Sequence, residues 1–366
     1  MIKSNSNSNF KLIFFCIIVA FLISCTKNIE IKKQDYSSHK VMIEPQNQNP
    51  ANCTNVKDEP YLNNTYSQKL NFSAGLLSPR IYAGILEPRS FLIANFAPLK
   101  NGISTFLKEQ NISASIYVEN LRNGVNMGIN ENEGYFPASL NKLPVAILIM
   151  QKIEDGKLSL DSMLTIEDND RTDSYGTLYL TKENQLPVRI LLEKMLRESD
   201  NTAFNVLFDH FDRSELARLL DYYNLKENIE YPFKRLEYGS GTDLVTPIKM
   251  YNLFSSLYLS TVLYAQDSEY ILSLLTKTTD FDIKALANLP NNVTIADKFG
   301  EYYLDDTKLF HDCGIMYIGQ SKFFYCIMMK DIEVEDAKHT IGYLVNYIYN
   351  YVVYTRTQLD AYKKNR

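Results

Sequence analysis

Strand-like patterns stand at both ends of this chain's body and helical patterns fill the middle, an order that leaves few folds open. Near the start, residues 98–109 carry an amphipathic helical pattern and 113–120 read as a strand. Asn123-Gly124 then supplies a two-residue hairpin turn into 125–129. Near the end, 293–298, 309–318 and 323–330 read as strands, and Ile341, Leu344, Val345, Ile348 and Val352 mark the apolar stripe of a closing helix. Between them one helix begins near Ser139, runs through the apolar stretch 143–150 and stops at Asp155-Gly156. Pro187 opens another, apolar at 188, 191, 192, 195 and 196. Further helical stretches start at 202 and cover 214–227 and 247–275, the last opening at Thr246-Pro247. The expectation is an α+β fold: an antiparallel sheet covered by N- and C-terminal helices, with a mostly helical subdomain.

The first 24 residues stand apart. Lys3 and Lys11 precede an apolar run from 12 to 23, which is too short for a comfortable membrane span and ends at Leu22-Ile23-Ser24-Cys25. That tetrad resembles the lipobox of bacterial lipoproteins, which implies cleavage before Cys25, lipidation of Cys25 and export to the periplasmic or extracellular face of a membrane. Residues 25–91 read as a polar tether and arm, 92–357 as the folded domain and 358–366 as a polar tail. Losing the leader's two cations takes the net charge from −5 to −7, which argues against nucleic acid as a partner.

Three cysteines remain, Cys53, Cys313 and Cys326. With the last hairpin turning near Gln320-Ser321, Cys313 would face Met328 and Cys326 would face Ile315, so the expectation is two buried free thiols offset on one face rather than a disulfide. The four histidines, His39, His210, His311 and His339, are scattered, and no metal or cofactor is implied.

Chemistry concentrates in three short elements. Ser139-Leu140-Asn141-Lys142 puts a lysine one helical turn after a serine, within reach of its hydroxyl. A serine is a poor nucleophile without a base, and a desolvated lysine can supply one. The pattern alone is weak, since Ser8 to Lys11 and Ser37 to Lys40 repeat it where no catalytic helix is plausible. Its weight comes from Ser199-Asp200-Asn201, sixty residues on between two helices, and from Lys298-Phe299-Gly300, ninety-nine further, where Lys298 is expected to end a strand.

Together these elements resemble the active-site signature of class A β-lactamases and penicillin-binding proteins. The resemblance covers roughly residues 92–355 and extends to the sequence around Ser199 and Thr246-Pro247. It implies Ser139 as acylated nucleophile, Lys142 as its proton acceptor, Ser199 as proton shuttle and Lys298 as a positive charge. Asn201 would bind the substrate amide, and the backbone N–H groups of Ser139 and Glu301, after Gly300, would form an oxyanion hole. Tyr175 stands where the family often has an aromatic wall.

Two departures qualify it. Phe299 replaces the usual threonine or serine, whose hydroxyl helps bind the substrate carboxylate, and no glutamate between Asn201 and Thr246 is followed by Leu-Asn. Of Glu227, Glu230 and Glu237, the last is the nearest candidate for a deacylation base. The cation that usually assists carboxylate binding is not evident, with His311 as a possible stand-in or a packing residue. The expectation is a lipid-anchored serine hydrolase acting on a β-lactam or related amide. The alternatives are a D-alanyl-D-alanine carboxypeptidase or peptidoglycan amidase, and a catalytically degenerate envelope-binding lipoprotein.

Overall fold

The computed structural model describes residues 96–223, 245–279, 281–304, 307–319 and 321–364. The leader, Cys25, the tether, Cys53, Glu227, Glu230 and Glu237 lie outside the described residues.

Helix α1 (Ala97–Gln110) has Pro98 in its first turn, where a missing N–H costs nothing, and ends on Asn111 in a left-handed conformation (φ 54°). Strands β1 (Ser115–Asn120) and β2 (Asn126–Ile129) follow, with Glu119 opposite Asn126. Their connection is wider than the expected two-residue turn. Asn120 Oδ1 accepts from Arg122 N–H and Asn123 Oδ1 from Val125 N–H, so two side-chain-closed turns replace one Asn-Gly turn.

A 3₁₀ turn (Ala138–Asn141) leads into α2 (Lys142–Glu154), whose first nine residues are all buried. A short pair, β3 (Met163–Thr165) and β4 (Gln185–Pro187), precedes α3 (Val188–Arg197), α4 (Asn201–Phe208) and α5 (Arg213–Tyr222). The expected 247–275 helix is two, α6 (Pro247–Tyr258) and α7 (Ala265–Leu275), broken at Ser260, which takes a left-handed φ of 52°. After α8 (Ile283–Leu286) come β5 (Val293–Leu304), β6 (Thr307–Ile318), β7 (Ser321–Lys330) and α9 (Val334–Lys364). That last helix carries on through most of the segment read as a polar tail.

The five-stranded sheet runs β2-β1-β7-β6-β5, every pairing antiparallel, and leaves β5 at one edge. Its two faces bury separate cores. One face packs on α1, α8 and α9 through Phe106, Phe299, Phe310, Ile341 and Val345, and the other packs on the helical subdomain through Ala296, Cys313, Ile315 and Phe324. This is the α+β arrangement read from the sequence.

The cysteine expectation is overturned. Ile318 pairs with Ser321, so the hairpin turns one residue earlier than expected, and each pairing partner moves by two positions. Cys313 then stands directly opposite Cys326, their Cα atoms 3.9 Å apart, and the two form a disulfide. The face was read correctly and the register was not, because nothing in Gly319-Gln320-Ser321 chooses between the two turns by pattern alone.

Candidate active site

Ser139 sits in the 3₁₀ turn, just after Ala138, whose φ of 46° is a left-handed conformation that costs an alanine about 1–2 kcal/mol. The bend is held by close packing against β5. A Cβ added to Gly300 would lie 2.9 Å from the Pro137 carbonyl oxygen and 3.3 Å from Ala138 Cβ, so only glycine permits the approach. One turn on, Lys142 is wholly buried at the head of α2. Its Nζ donates to Ser139 Oγ (3.0 Å), Ser199 Oγ (3.0 Å) and Asn201 Oδ1 (2.6 Å), and lies close against the Ser199 carbonyl oxygen.

Ser199 also has a left-handed backbone (φ 53°), at the turn between α3 and α4. Its Oγ accepts from Lys298 Nζ at 3.1 Å, completing an unbroken path Ser139 Oγ, Lys142 Nζ, Ser199 Oγ, Lys298 Nζ. Lys298 lies mid-strand, not at a strand end as expected, because β5 and β6 stay paired as far as Leu304 and Thr307. Its buried ammonium also donates to the Phe299 carbonyl (3.0 Å) and lies 4.1 Å from the Phe299 ring.

The remaining expected residues gather around this path. Asn201 donates from Nδ2 to Ser174 Oγ (2.7 Å) and from its backbone N–H to the Tyr175 carbonyl (3.0 Å). The Tyr175 ring rests 5.8 Å from that of Phe299, which is itself buried against Phe281 and Phe310. Gly300 faces Ser139's turn, so strand alternation turns the Glu301 side chain to the other face, where its carboxylate lies 3.6 Å from Lys338 on α9. What Glu301 can offer the site is its backbone. Glu237 lies outside the described residues.

Sequence reasoning passed over Asp200. This fully buried carboxylate accepts from the N–H groups of Thr177 and Leu178 at Oδ2 and of Ala203 at Oδ1, all at 2.8 Å. It caps α4 and pins the loop bearing Ser174 and Tyr175. An aspartate just before a helical run was the available signal. His311 does not serve as a substrate-facing cation: it is buried, and desolvation drives its pKa down to about 4, leaving it neutral.

A second buried feature carried no signal at all. Behind the site, Asp297 and Asp312 approach on the α9 face of the sheet, and Tyr325 Oη donates to Asp312 Oδ2 at 2.6 Å. Burial pushes both carboxyls up, Asp312 to about 7, and the neighbouring Asp312 raises Asp297 further. An unfolded aspartate ionises near pH 4. The folded pair therefore holds protons that the unfolded chain has released, and its contribution is full below about pH 4 and lost as pH rises through about 7. We expect the urea midpoint to fall between pH 5 and pH 8, and Asp312→Asn to flatten the fall. A slope identical in the two proteins would refute this.

A model of the β-lactamase enzyme family matches residues 98–352. The chain belongs to that family. No curated protein matches the sequence. Among solved structures, PBP-A is 21% identical with a TM-score of 0.60, over 70% of this chain and 97% of its own. The extended-spectrum β-lactamase TLA-3 is 18% identical with a TM-score of 0.64, over 70% and 98%. A β-lactamase from Chitinophaga pinensis is 18% identical with a TM-score of 0.59, over 68% and 98%. At these identities the likeness is one of fold. A point variant of PBP-A, also 21% identical, is described as an acyl-enzyme complex with penicillin G.

Proposed function

We propose that this member of the β-lactamase enzyme family is a serine acyl-hydrolase that opens a β-lactam or related amide through an ester on Ser139. The observation that carries the reading is the hydrogen-bonded path from Ser139 through Lys142 and Ser199 to Lys298. Lys142, as neutral amine, takes the Ser139 proton while Oγ bonds to the acyl carbon. Backbone N–H groups of Ser139 and Glu301 stabilise the oxyanion, a contribution of about 3–4 kcal/mol for one such donor. The proton passes from Lys142 to Ser199, and the Ser199 hydroxyl delivers its own to the departing nitrogen as the C–N bond breaks. Lys298 keeps the Ser199 oxygen in place throughout, and Asn201 and Tyr175 flank the acyl donor.

A penicillin-binding protein's slow turnover is favoured over an efficient β-lactamase's. No glutamate-x-x-Leu-Asn element occurs between Asn201 and Thr246, and Phe299, sealed among aromatic rings, offers no hydroxyl to a carboxylate. Glu237 stands as the carboxylate to replace first if release is fast.

We also read the protein as exported and tethered by lipid on Cys25. The Cys313–Cys326 disulfide supports export, because such bonds persist in oxidising compartments, and the lipobox-like Leu22-Ile23-Ser24-Cys25 is what supports the tether.

A fluorescent penicillin should label the protein in a rapid burst, with peptide mapping placing the adduct on Ser139 and the adduct outlasting many acylation half-times. Absence of any adduct with β-lactams or D-alanyl ester donors would instead favour the degenerate binding lipoprotein. Membrane fractionation in high salt tests the anchor, since a Cys25→Ala protein that stays in the membrane fraction would refute it.

A further inference from the structure

The imidazole of His311 reaches across the sheet toward the peptide that leads into Ser139. His311 on β6 stands directly opposite Gly300 on β5, with both side-chain positions on the same face. Since Gly300 has no side chain, the ring crosses over the edge strand and brings Nε2 to 3.0 Å from the Phe136 carbonyl oxygen. A carbonyl only accepts, so Nε2 carries the proton, and Nδ1 accepts from the Met329 N–H at 3.4 Å.

We propose that His311 is a positioning residue that clamps the Phe136 peptide and thereby fixes the left-handed turn presenting Ser139. The inference rests on the reading of Ser139 as nucleophile. The carbonyls preceding the turn are anchored in succession. Tyr135 exchanges two backbone hydrogen bonds with Val245 (2.8 and 2.9 Å), Phe136 C=O meets His311, and Pro137 C=O accepts from Leu140 N–H at 3.0 Å. Ala138 at φ 46° comes next, a conformation that relaxes unless its neighbours hold it.

The setting keeps the clamp in one state. The Tyr135 ring meets His311 edge-on at 5.3 Å, and its Oη is 2.9 Å from Ser115 Oγ. The nearby charges engage one another: Glu133 takes the Ser115 hydroxyl and pairs with Lys330 at 2.8 Å. Burial holds His311 neutral across the physiological range, so its single proton stays committed to Phe136. A misplacement of about 1 Å in a reacting group can cost on the order of 100-fold in rate, which sets the scale of what such a clamp protects.

The test compares His311→Leu, which removes both hydrogen bonds, with His311→Gln, whose Nε2 can still donate to Phe136. Acylation by a fluorescent penicillin is followed over a concentration series, below the melting transition of each variant. The expected result is a maximal acylation rate lowered roughly 10- to 100-fold in His311→Leu at unchanged half-saturation, with His311→Gln within about 3-fold of wild type. Equal slowing by the two variants, or a wild-type rate in folded His311→Leu, overturns the proposal. If His311→Leu does not fold, His311→Asn, too short to reach Phe136, takes its place. Hydrogen exchange of the peptide spanning 136–141 should speed up in His311→Leu or its replacement and stay at the wild-type rate in His311→Gln, and exchange that is equal in all overturns the clamp. That readout needs no turnover, so a wild type without label counts against the nucleophile reading alone.

Discussion

Lys142→Met is expected to slow acylation of Ser139 by roughly 10²- to 10⁴-fold, the usual contribution of a positioned general base. Methionine keeps the length and lack of branching of the stem, so α2 should retain its packing. What disappears is the nitrogen that touches Ser139 Oγ, Ser199 Oγ and Asn201 Oδ1 at once. Losing a buried amine removes a desolvation cost, while leaving those oxygens without their donor adds one, so the net change in stability is small beside the change in rate. Stopped-flow labelling alongside thermal melting separates the two effects. A folded variant that labels faster than a tenth of the wild-type rate would show that some other group takes the proton.

Asp200→Ala should carry the largest effect on stability, about 3–5 kcal/mol, because it strips partners from three buried N–H groups and removes the cap of α4. For a domain of this size that corresponds to a drop in Tm on the order of 10 °C. Function should suffer separately. Gly176 packs so tightly on Asp200 that an added Cβ would lie 2.3 Å from its carboxylate, so the loop carrying Ser174 and Tyr175 is shaped on this side chain. We expect Asp200→Asn, which keeps one acceptor oxygen, to lose less on both counts. Calorimetry giving Asp200→Ala within about 1 kcal/mol of wild type would show that the loop is held by other contacts.

How far the sequence revealed this depends on the kind of information each residue carries. Periodicity marked the buried faces of α3 and α9, since Val188, Leu191, Leu192, Met195 and Leu196, and Ile341 through Val352, repeat at helical spacing. Spacing and context singled out Ser139, Ser199 and Lys298, which the fold brings within one hydrogen-bonded path. Register is different information. The disulfide was missed because a hairpin turn displaced by one residue leaves every side chain on its face yet changes which residues meet. His311, Asp297 and Asp312 act across strands, so no pattern along one segment could announce their partners. The left-handed backbones of Ala138 and Ser199 are likewise invisible in residue type, because alanine and serine do not ordinarily adopt them.

The pairing of β1 with β7 bears on when during folding the site comes into existence. Ser115 meets Met328, so the sheet closes over more than two hundred intervening residues, and Lys298 reaches Ser199 across ninety-nine. Contacts so distant along the chain form slowly, after local helices have had time to fold and re-fold many times. Until the carboxy-terminal strands arrive, Gly300 is not there to press on Pro137, and Ser139 is an ordinary hydroxyl on a helix end. A chain caught part-way through synthesis therefore lacks the assembled path from Ser139 to Lys298, which comes into being only with closure of the sheet.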